Sequence, residues 1–264
     1  MKNLRNLKKL LFVCSAPVAL TFTTAQAATN NFDGGDDGTG TDWHTADNWS
    51  AGYLPITGDK NYITADAIYT TGTTTFDNGD WNIGRSSAGT LTMNGGTITT
   101  NIGVIIGQQR SGSLTINTGA TYNNNGKFYV GNGPGGNGTV NLDGGTLAVA
   151  ASTDDTVFGR EGGTGLLSIT AGTATFSNLL TMSNGSIVFS NDSSGSLSIV
   201  GADLTYYSNL YTAGNLSRTG GTGTFATDFN VSGTTLTAVP EPGTYAMIGG
   251  ILAFAYVMLR RRRL

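Results

Sequence analysis

Cysteine and histidine are nearly absent from this 264-residue chain, which has one residue of each. Cys14 lies in an apolar stretch near the start, so the chain after it has no thiol and can form no disulfide. A metal site built from His and Cys is excluded, and a Ser-His-Asp triad would depend on His44 alone. The sequence therefore predicts no catalytic residues, no metal ligands and no cofactor, and stability has to come from packing and hydrogen bonds.

Charged residues are also scarce, at 12% of the chain, and they are unevenly placed. Eight of the fourteen basic residues lie in Met1–Lys9 and Arg260–Arg263. Residues 28–238 contain 16 acidic and 6 basic residues, a net charge of about -10. Nucleic acids and anionic membranes are bound by clustered Lys and Arg, so the composition argues against both as partners of this region.

Proline occupies only five positions whereas glycine occupies 40, which disfavours long helices. Apolar residues instead alternate with polar ones and recur in register, which predicts repeated β-strands. One strand of each repeat has two inward apolar positions followed by a short polar turn, usually with Gly. Its five copies, spaced by 23, 26, 27 and 30 residues, are Leu91/Met93, Leu114/Ile116, Val140/Leu142, Leu167/Ile169 and Leu197/Ile199.

Two further short strands accompany each copy. Before it comes an apolar residue followed by Gly, at Ile83-Gly84, Ile106-Gly107, Val130-Gly131 and Phe158-Gly159, with Phe189-Ser190 as a degenerate copy. Seven residues after the first apolar position comes another slot, which holds Ile98, Thr121, Leu147, Ala174 and Leu204. Three strands per repeat predict three faces per coil, and stacking the coils buries a continuous apolar column.

We expect an all-β fold, a right-handed parallel β-helix (β-solenoid) of about six coils, followed by a C-terminal transmembrane helix. Residues 81–238 form the repeats, and residues 28–80 form an N-terminal cap with the first strands. A β-sandwich, which also has short strands and Gly turns, stays open as an alternative. The repeats resemble autotransporter-passenger-type repeats of bacterial surface proteins over about residues 81–206. That resemblance implies the parallel β-helix and indicates almost nothing about activity.

Aromatic residues concentrate ahead of the repeats, at Trp43, Trp49, Tyr53 and Tyr62. The first coil of a solenoid needs a cover over its edge and core, which buried aromatic side chains provide. The functional alternative is an exposed platform on which Trp43 and Trp49 stack against sugar rings.

The N-terminal 27 residues have the three parts of a secretion signal. Basic residues in Met1–Lys9 precede the apolar stretch Leu10–Phe22, and Ala25 and Ala27 form a small-x-small cleavage site. We expect cleavage after Ala27. A retained N-terminal membrane anchor is the alternative, but the apolar stretch is shorter than the ~20 residues of a spanning helix.

The C-terminal residues 239–264 also have three parts. Pro240, Glu241 and Pro242 are followed by the apolar stretch Tyr245–Leu259 and then by Arg260, Arg261, Arg262 and Arg263. A short membrane helix with a cytoplasmic basic stop is the physical interpretation. The pattern closely resembles the PEP-CTERM sorting tail. The resemblance implies recognition and cleavage by an exosortase-type enzyme, at the surface of a Gram-negative bacterium that makes extracellular polysaccharide.

Two groups of charged residues are candidates for chemistry. Asp154, Asp155, Arg160 and Glu161 lie between strands, but hydrolysis or β-elimination needs several groups that converge on one face. The Gly-rich segment 33–42 carries flexible carboxylates of the kind that bind Ca²⁺, although it matches no standard calcium loop. A solvated loop and a disordered N-terminus are the respective alternatives.

Threonine-rich runs raise the possibility of an ice-binding face, which requires outward Thr pairs repeated in one slot of a flat sheet. Counting by fixed spacing, the slot of Thr97/Thr99 holds Ala120/Tyr122, Thr146/Ala148, Thr173/Thr175 and Asp203/Thr205 in the other repeats. The pair does not recur on this count. The sequence therefore predicts no such face, and the β propensity of Thr explains its abundance.

The functional expectation is an exported, non-enzymatic structural or matrix-interaction protein, sorted at the envelope through its tail. Its expected partners are the sorting enzyme, the membrane before processing, and extracellular polysaccharide. A carbohydrate-binding or adhesin solenoid is the alternative, and a polysaccharide-degrading β-helix enzyme is a third.

Overall fold

The repeated strands stack in parallel, turn upon turn, and form a β-solenoid of about six turns. The structure is a computed structural model that describes residues 28–151, 155–221 and 223–239, together with Met258. Parallel pairing between successive turns excludes the β-sandwich, whose sheets are antiparallel. The all-β fold and the repeat are therefore confirmed.

The solenoid strands, in chain order, are β1 (Thr29–Phe32), β2 (Lys60–Ile63), β3 (Asp66–Tyr69), β4 (Thr73–Phe76), β5 (Asp80–Ile83), β6 (Gly89–Met93), β7 (Gly96–Thr100), β8 (Val104–Ile106), β9 (Ser111–Asn117), β10 (Ala120–Asn124), β11 (Phe128–Asn132), β12 (Asn137–Val149), β13 (Thr156–Arg160), β14 (Thr164–Phe176), β15 (Thr181–Met182), β16 (Gly185–Phe189), β17 (Ser196–Ile199) and β18 (Leu216–Arg218). A 3₁₀ turn spans Ala46–Asn48. The chain continues through α1 (Leu204–Thr212) before β18, and through α2 (Phe225–Asp228), β19 (Phe229–Ser232) and β20 (Thr235–Ala238) after it.

The solenoid has three faces, and each central turn contributes one strand to each face. The first face is the sheet β1-β2-β5-β8-β11-β13-β15. The second face contains β3, β6, β9, the first halves of β12 and β14, then β16 and β18. The third face contains β4, β7, β10, the second halves of β12 and β14, then β17 and β20. β12 and β14 pass from the second face to the third at a register shift near Asp143.

The core is a column of stacked apolar side chains, as the sequence predicts. On the second face Leu91, Leu114, Val140 and Leu167 pair in succession, and all four are fully buried. On the first face the same holds for Ile83, Ile106, Val130 and Phe158. Burial of this column is the main favourable term for a chain without disulfides.

The last turn differs from the predicted repeat. Ile187 and Phe189 continue the column of the second face, opposite Leu167 and Ile169. Leu197 and Ile199, predicted for that column, lie instead on the third face opposite Ala174 and Phe176. The predicted degenerate copy at Phe189-Ser190 was therefore wrong, and Met182 follows Phe158 on the first face. The 30-residue spacing joined strands of two different faces.

Glycine forms the corner between the first and second faces because no side chain fits there. Gly131 has a φ of 75° and a Cβ on it would overlap the carbonyl oxygen of Thr164 in the next turn. A Cβ on Gly112 would overlap the carbonyl oxygen of Ile83 in the turn before. This close approach explains why an apolar residue followed by Gly marks each turn in the sequence.

The C-terminal end of the solenoid is covered by helix and hairpin. Leu204, predicted as a strand residue, begins α1 and is 60% exposed. The Asp203 carboxylate accepts a hydrogen bond from the Tyr206 backbone N–H and caps this helix. Strand β20 pairs antiparallel with β17, so the edge of β17 is not left open.

Candidate functional site

The outward side chains of the third face form two ordered columns, which we call the threonine face. In the first column Thr73, Thr97, Thr121, Thr146, Thr173, Ser196 and Thr237 pair in succession. In the second column the partners are Thr75, Thr99, Asn123, Ala148, Thr175, Ser198 and Thr235. Every residue of the first column and five of the seven in the second carry a hydroxyl group.

The sequence-based count assigned some outward residues of this surface wrongly, because it used a fixed register. Fixed spacing placed Tyr122 in an outward position, whereas it pairs with Ile98 and is fully buried. Thr121, which the fixed spacing places in the inward slot, pairs with Thr97 and faces outward. In this register the Thr-x-Thr pair occurs in β4, β7, β14 and β20 but not in β10, β12 or β17, whereas a hydroxyl group recurs in the first column of every strand.

The threonine face is accessible and carries no charged or aromatic side chain in either column. Thr73, Thr75, Thr146 and Thr173 are exposed, and the remaining hydroxyl-bearing residues of the two columns are partly exposed. A few of these side chains contact the next turn, as where the Ser196 hydroxyl donates to the Thr173 hydroxyl at 3.4 Å. Hydroxyl groups thus repeat about every 4.8 Å across the strands in the first column, and about every 6.6 Å along five of the seven strands, the exceptions being β10 and β12.

The other two faces are less regular. On the second face Leu166 and Val188 interrupt the outward columns of Thr and Ser. On the first face the outward column contains Tyr62 and Tyr129, each with an Arg guanidinium over its ring. Arg85 and Arg160 lie 4.5 and 4.6 Å from the respective ring centroids, so both rings are nearly buried. Neither tyrosine offers an open stacking surface.

The two tryptophans ahead of the repeats are core residues of the N-terminal cap. Trp43 and Trp49 are 2% and 1% exposed, and their rings meet edge to face at 4.7 Å. The Trp49 indole N–H donates to the Trp43 carbonyl at 2.9 Å, and Phe32 packs against Trp49. The predicted burial of these two rings is confirmed, and the alternative of a sugar-stacking platform on them is wrong.

The acidic segment 33–42 is folded into turns by its own carboxylates. Asp33 accepts from the Gly35 backbone N–H at 3.2 Å and Asp37 from that of Thr39 at 3.0 Å. The Thr39 backbone and hydroxyl lower the pKa of Asp37, and the His44 backbone N–H lowers the pKa of Asp42. Among residues 28–151, 155–221 and 223–239, no three His, Cys, Asp or Glu side chains converge as a metal site requires.

The acid-base candidates between β12 and β14 are held in separate contacts. The Lys127 Nζ atom lies 3.7 Å from Asp155 Oδ1, and Arg160 Nη2 lies 2.7 Å from Glu161 Oε1. Arg160 also covers Tyr129. Asp154 lies outside the described residues. The described members of this group do not form the converging pair of carboxylates that glycoside hydrolysis needs.

The predicted processing segments cannot be placed. Ala25, Ala27, Pro240, Glu241, Pro242 and Arg260–Arg263 lie outside the described residues, as does the apolar stretch before the arginines apart from Met258. In the part of the chain that is described, no helix has the length and apolar character needed to cross a membrane. No protein-family model matches the chain, and no curated protein or solved structure matches it either.

Proposed function

We propose that this chain is an exported structural or matrix-interaction protein of a Gram-negative cell surface, sorted through its C-terminal tail. The observation that carries the proposal is the order of three parts after the last strand: Pro240-Glu241-Pro242, the apolar stretch Tyr245–Leu259, and four arginines. Its resemblance to the PEP-CTERM tail suggests an exosortase-type enzyme as partner. The apolar stretch is a transient membrane helix, with the arginines on the cytoplasmic side.

Two features of the body support a non-catalytic role. The candidate acid-base residues that are described lie in ion pairs rather than in a shared cleft. The solenoid itself is a scaffold of stacked strands with few charged side chains, most of them acidic, which suits a component of an extracellular matrix. Right-handed winding is expected from the resemblance to autotransporter passengers. A carbohydrate-binding role would have to use the solenoid faces, since Trp43 and Trp49 are buried.

The sorting step is tested by the fate of the tail in the native host. Wild-type protein should be found outside the cell without residues 245–264. A variant with Pro240, Glu241 and Pro242 all changed to Ala should stay full-length and membrane-bound. In a host without the sorting enzyme, both forms should stay tethered. Mass spectrometry of the C-terminal peptide decides the matter, and an intact tail on extracellular wild-type protein would contradict the proposal.

A further inference from the structure

The threonine face has a regularity that a generic matrix protein does not need. Its two columns run through seven neighbouring strands, from β4 to β20, without a charged side chain. β propensity alone does not explain it, because the outward columns of the second face, with the same strand geometry, also contain Asp66, Leu166 and Val188. We propose that the threonine face binds the ordered water of an ice surface.

Regular spacing is what separates this surface from an ordinary polar one. Any exposed hydroxyl exchanges hydrogen bonds with liquid water, so a single Thr gains almost nothing from ice. A ladder of strands holds hydroxyls at about 4.8 Å in one direction and about 6.6 Å in the other. Water bound to such an array is ordered with the same two repeats, which lets it continue into a crystal lattice.

Side-chain rigidity lowers the entropic cost of this binding. Thr is β-branched and has restricted χ1 rotation, and a neighbour of similar shape above and below restricts it further. Thr121, for example, has Thr97 on one side and Thr146 on the other. The array is therefore close to its bound arrangement before it meets ice, which is the condition under which many weak contacts add up.

The chemistry of the face favours water over other occupants. Thr offers both a hydroxyl group for hydrogen bonds and a methyl group against which water forms a cage. Neither column has an aromatic ring for sugar stacking, a base for phosphate, or a large apolar side chain that would anchor a protein. This inference depends on strand register alone and stands independently of the proposed export and sorting.

The test compares matched substitutions on two faces of the same turns. Thr97→Lys with Thr121→Lys alters the threonine face in β7 and β10. Thr92→Lys with Thr115→Lys alters the second face in β6 and β9, at outward Thr residues that are also partly exposed. The purified full chain is mixed with a size-matched reference protein, and a single ice crystal is grown slowly from the solution. The fraction of each protein in the ice is measured.

We expect wild-type protein and the second-face variant to enter the ice, and the threonine-face variant to be rejected like the reference protein. Thr146→Lys, at an exposed position of the same column, should also reduce incorporation. Circular dichroism at the same temperature confirms that each variant is folded. Rejection of the wild type, or equal loss in both double variants, would overturn the proposal. Wild-type protein that sediments with crystalline cellulose or chitin but is rejected by ice would overturn it in favour of a polysaccharide ligand.

Discussion

Space, more than backbone conformation, requires glycine at position 112. A Cβ on Gly112 would overlap the Ile83 carbonyl, whereas a Cβ on Gly103 would meet only the Lys127 Cβ at 3.5 Å. Neither glycine has a positive φ. We expect Gly112→Ala to lower the free energy of unfolding by about 1–3 kcal/mol, as overpacking does. Gly103→Ala should leave it unchanged or raise it by up to about 1 kcal/mol. Urea unfolding measures both, and equal values would contradict the packing argument.

A buried phenol should make the protein sensitive to alkali. Tyr122 lies fully inside the third-face column, and burial raises the pKa of its hydroxyl above the ordinary value of about 10. The unfolded chain releases this proton near pH 10 while the folded protein keeps it, so stability is complete below pH 10 and falls above it. Tyr207 shifts in the same direction, so Tyr122→Phe should weaken this loss without abolishing it.

Urea unfolding of wild type and Tyr122→Phe at several pH values from about 8 to 11 checks this sign, since these values bracket the tyrosine pKa. The two stability curves should run parallel below pH 10 and diverge above it. A wild-type curve that is flat through pH 11, or that falls no more steeply than the variant, would show that this phenol does not carry the effect.

Strands of the first and second faces could be predicted from the sequence, and those of the third face only in part. On the first two faces, Leu, Ile, Val and Phe fill most inward slots of the central turns, and Gly marks the corner between the two faces. On the third face the inward column contains Thr74, Tyr122 and Ala174, which have little in common. Turn length also varies, so Tyr122 follows Leu114 by eight residues while Ile98 follows Leu91 by seven. Backbone pairing fixes the register whatever the turn length.

The candidate functional sites, like the strands, could be predicted from the sequence only in part. Burial of Trp43 and Trp49 was the structural expectation for a cap and is confirmed. The threonine face was missed because a one-residue slip exchanges inward and outward side chains. α1 was missed because Leu204 matched a strand slot by counting, although Asp203 before it and a nine-residue segment without Gly or Pro are typical of a helix start. The sorting tail stays a prediction.

The N-terminal cap closes the solenoid through its aromatic cluster. Trp49 fills the space between Phe32 and Trp43, and its indole N–H is satisfied by the Trp43 carbonyl. We expect Trp49→Ala to cost about 3–5 kcal/mol, as large-to-small changes of buried aromatics do. Tyr53→Ala, a partly exposed aromatic nearby, is the control and should cost much less. In hydrogen exchange, Trp49→Ala should expose β1 to β4 first, and uniform loss of protection along the chain would argue against a local cap.

The solenoid as a whole should be only as stable as its unbroken core column, because each turn contacts only its neighbours. Leu142 lies in β12, between Ile116 of β9 and Ile169 of β14, and is fully buried. Leu142→Asp places a carboxylate where no partner exists for it, so we expect a loss of more than about 4 kcal/mol. Thr92→Asp, at an outward position of β6, should change the free energy of unfolding by less than about 0.5 kcal/mol.

Hydrogen exchange of the Leu142→Asp and Thr92→Asp variants shows how far the damage spreads. In Leu142→Asp, amides of β9 and β14 should lose protection together with those of β12, because these strands pair directly with the altered one. β2 and β3, which lie beneath the aromatic cap, should keep more of theirs. Equal tolerance of the two substitutions would mean that Leu142 is not part of a continuous core. Loss confined to β12 would mean that the turns are independent, and the column would then not be the source of cooperativity.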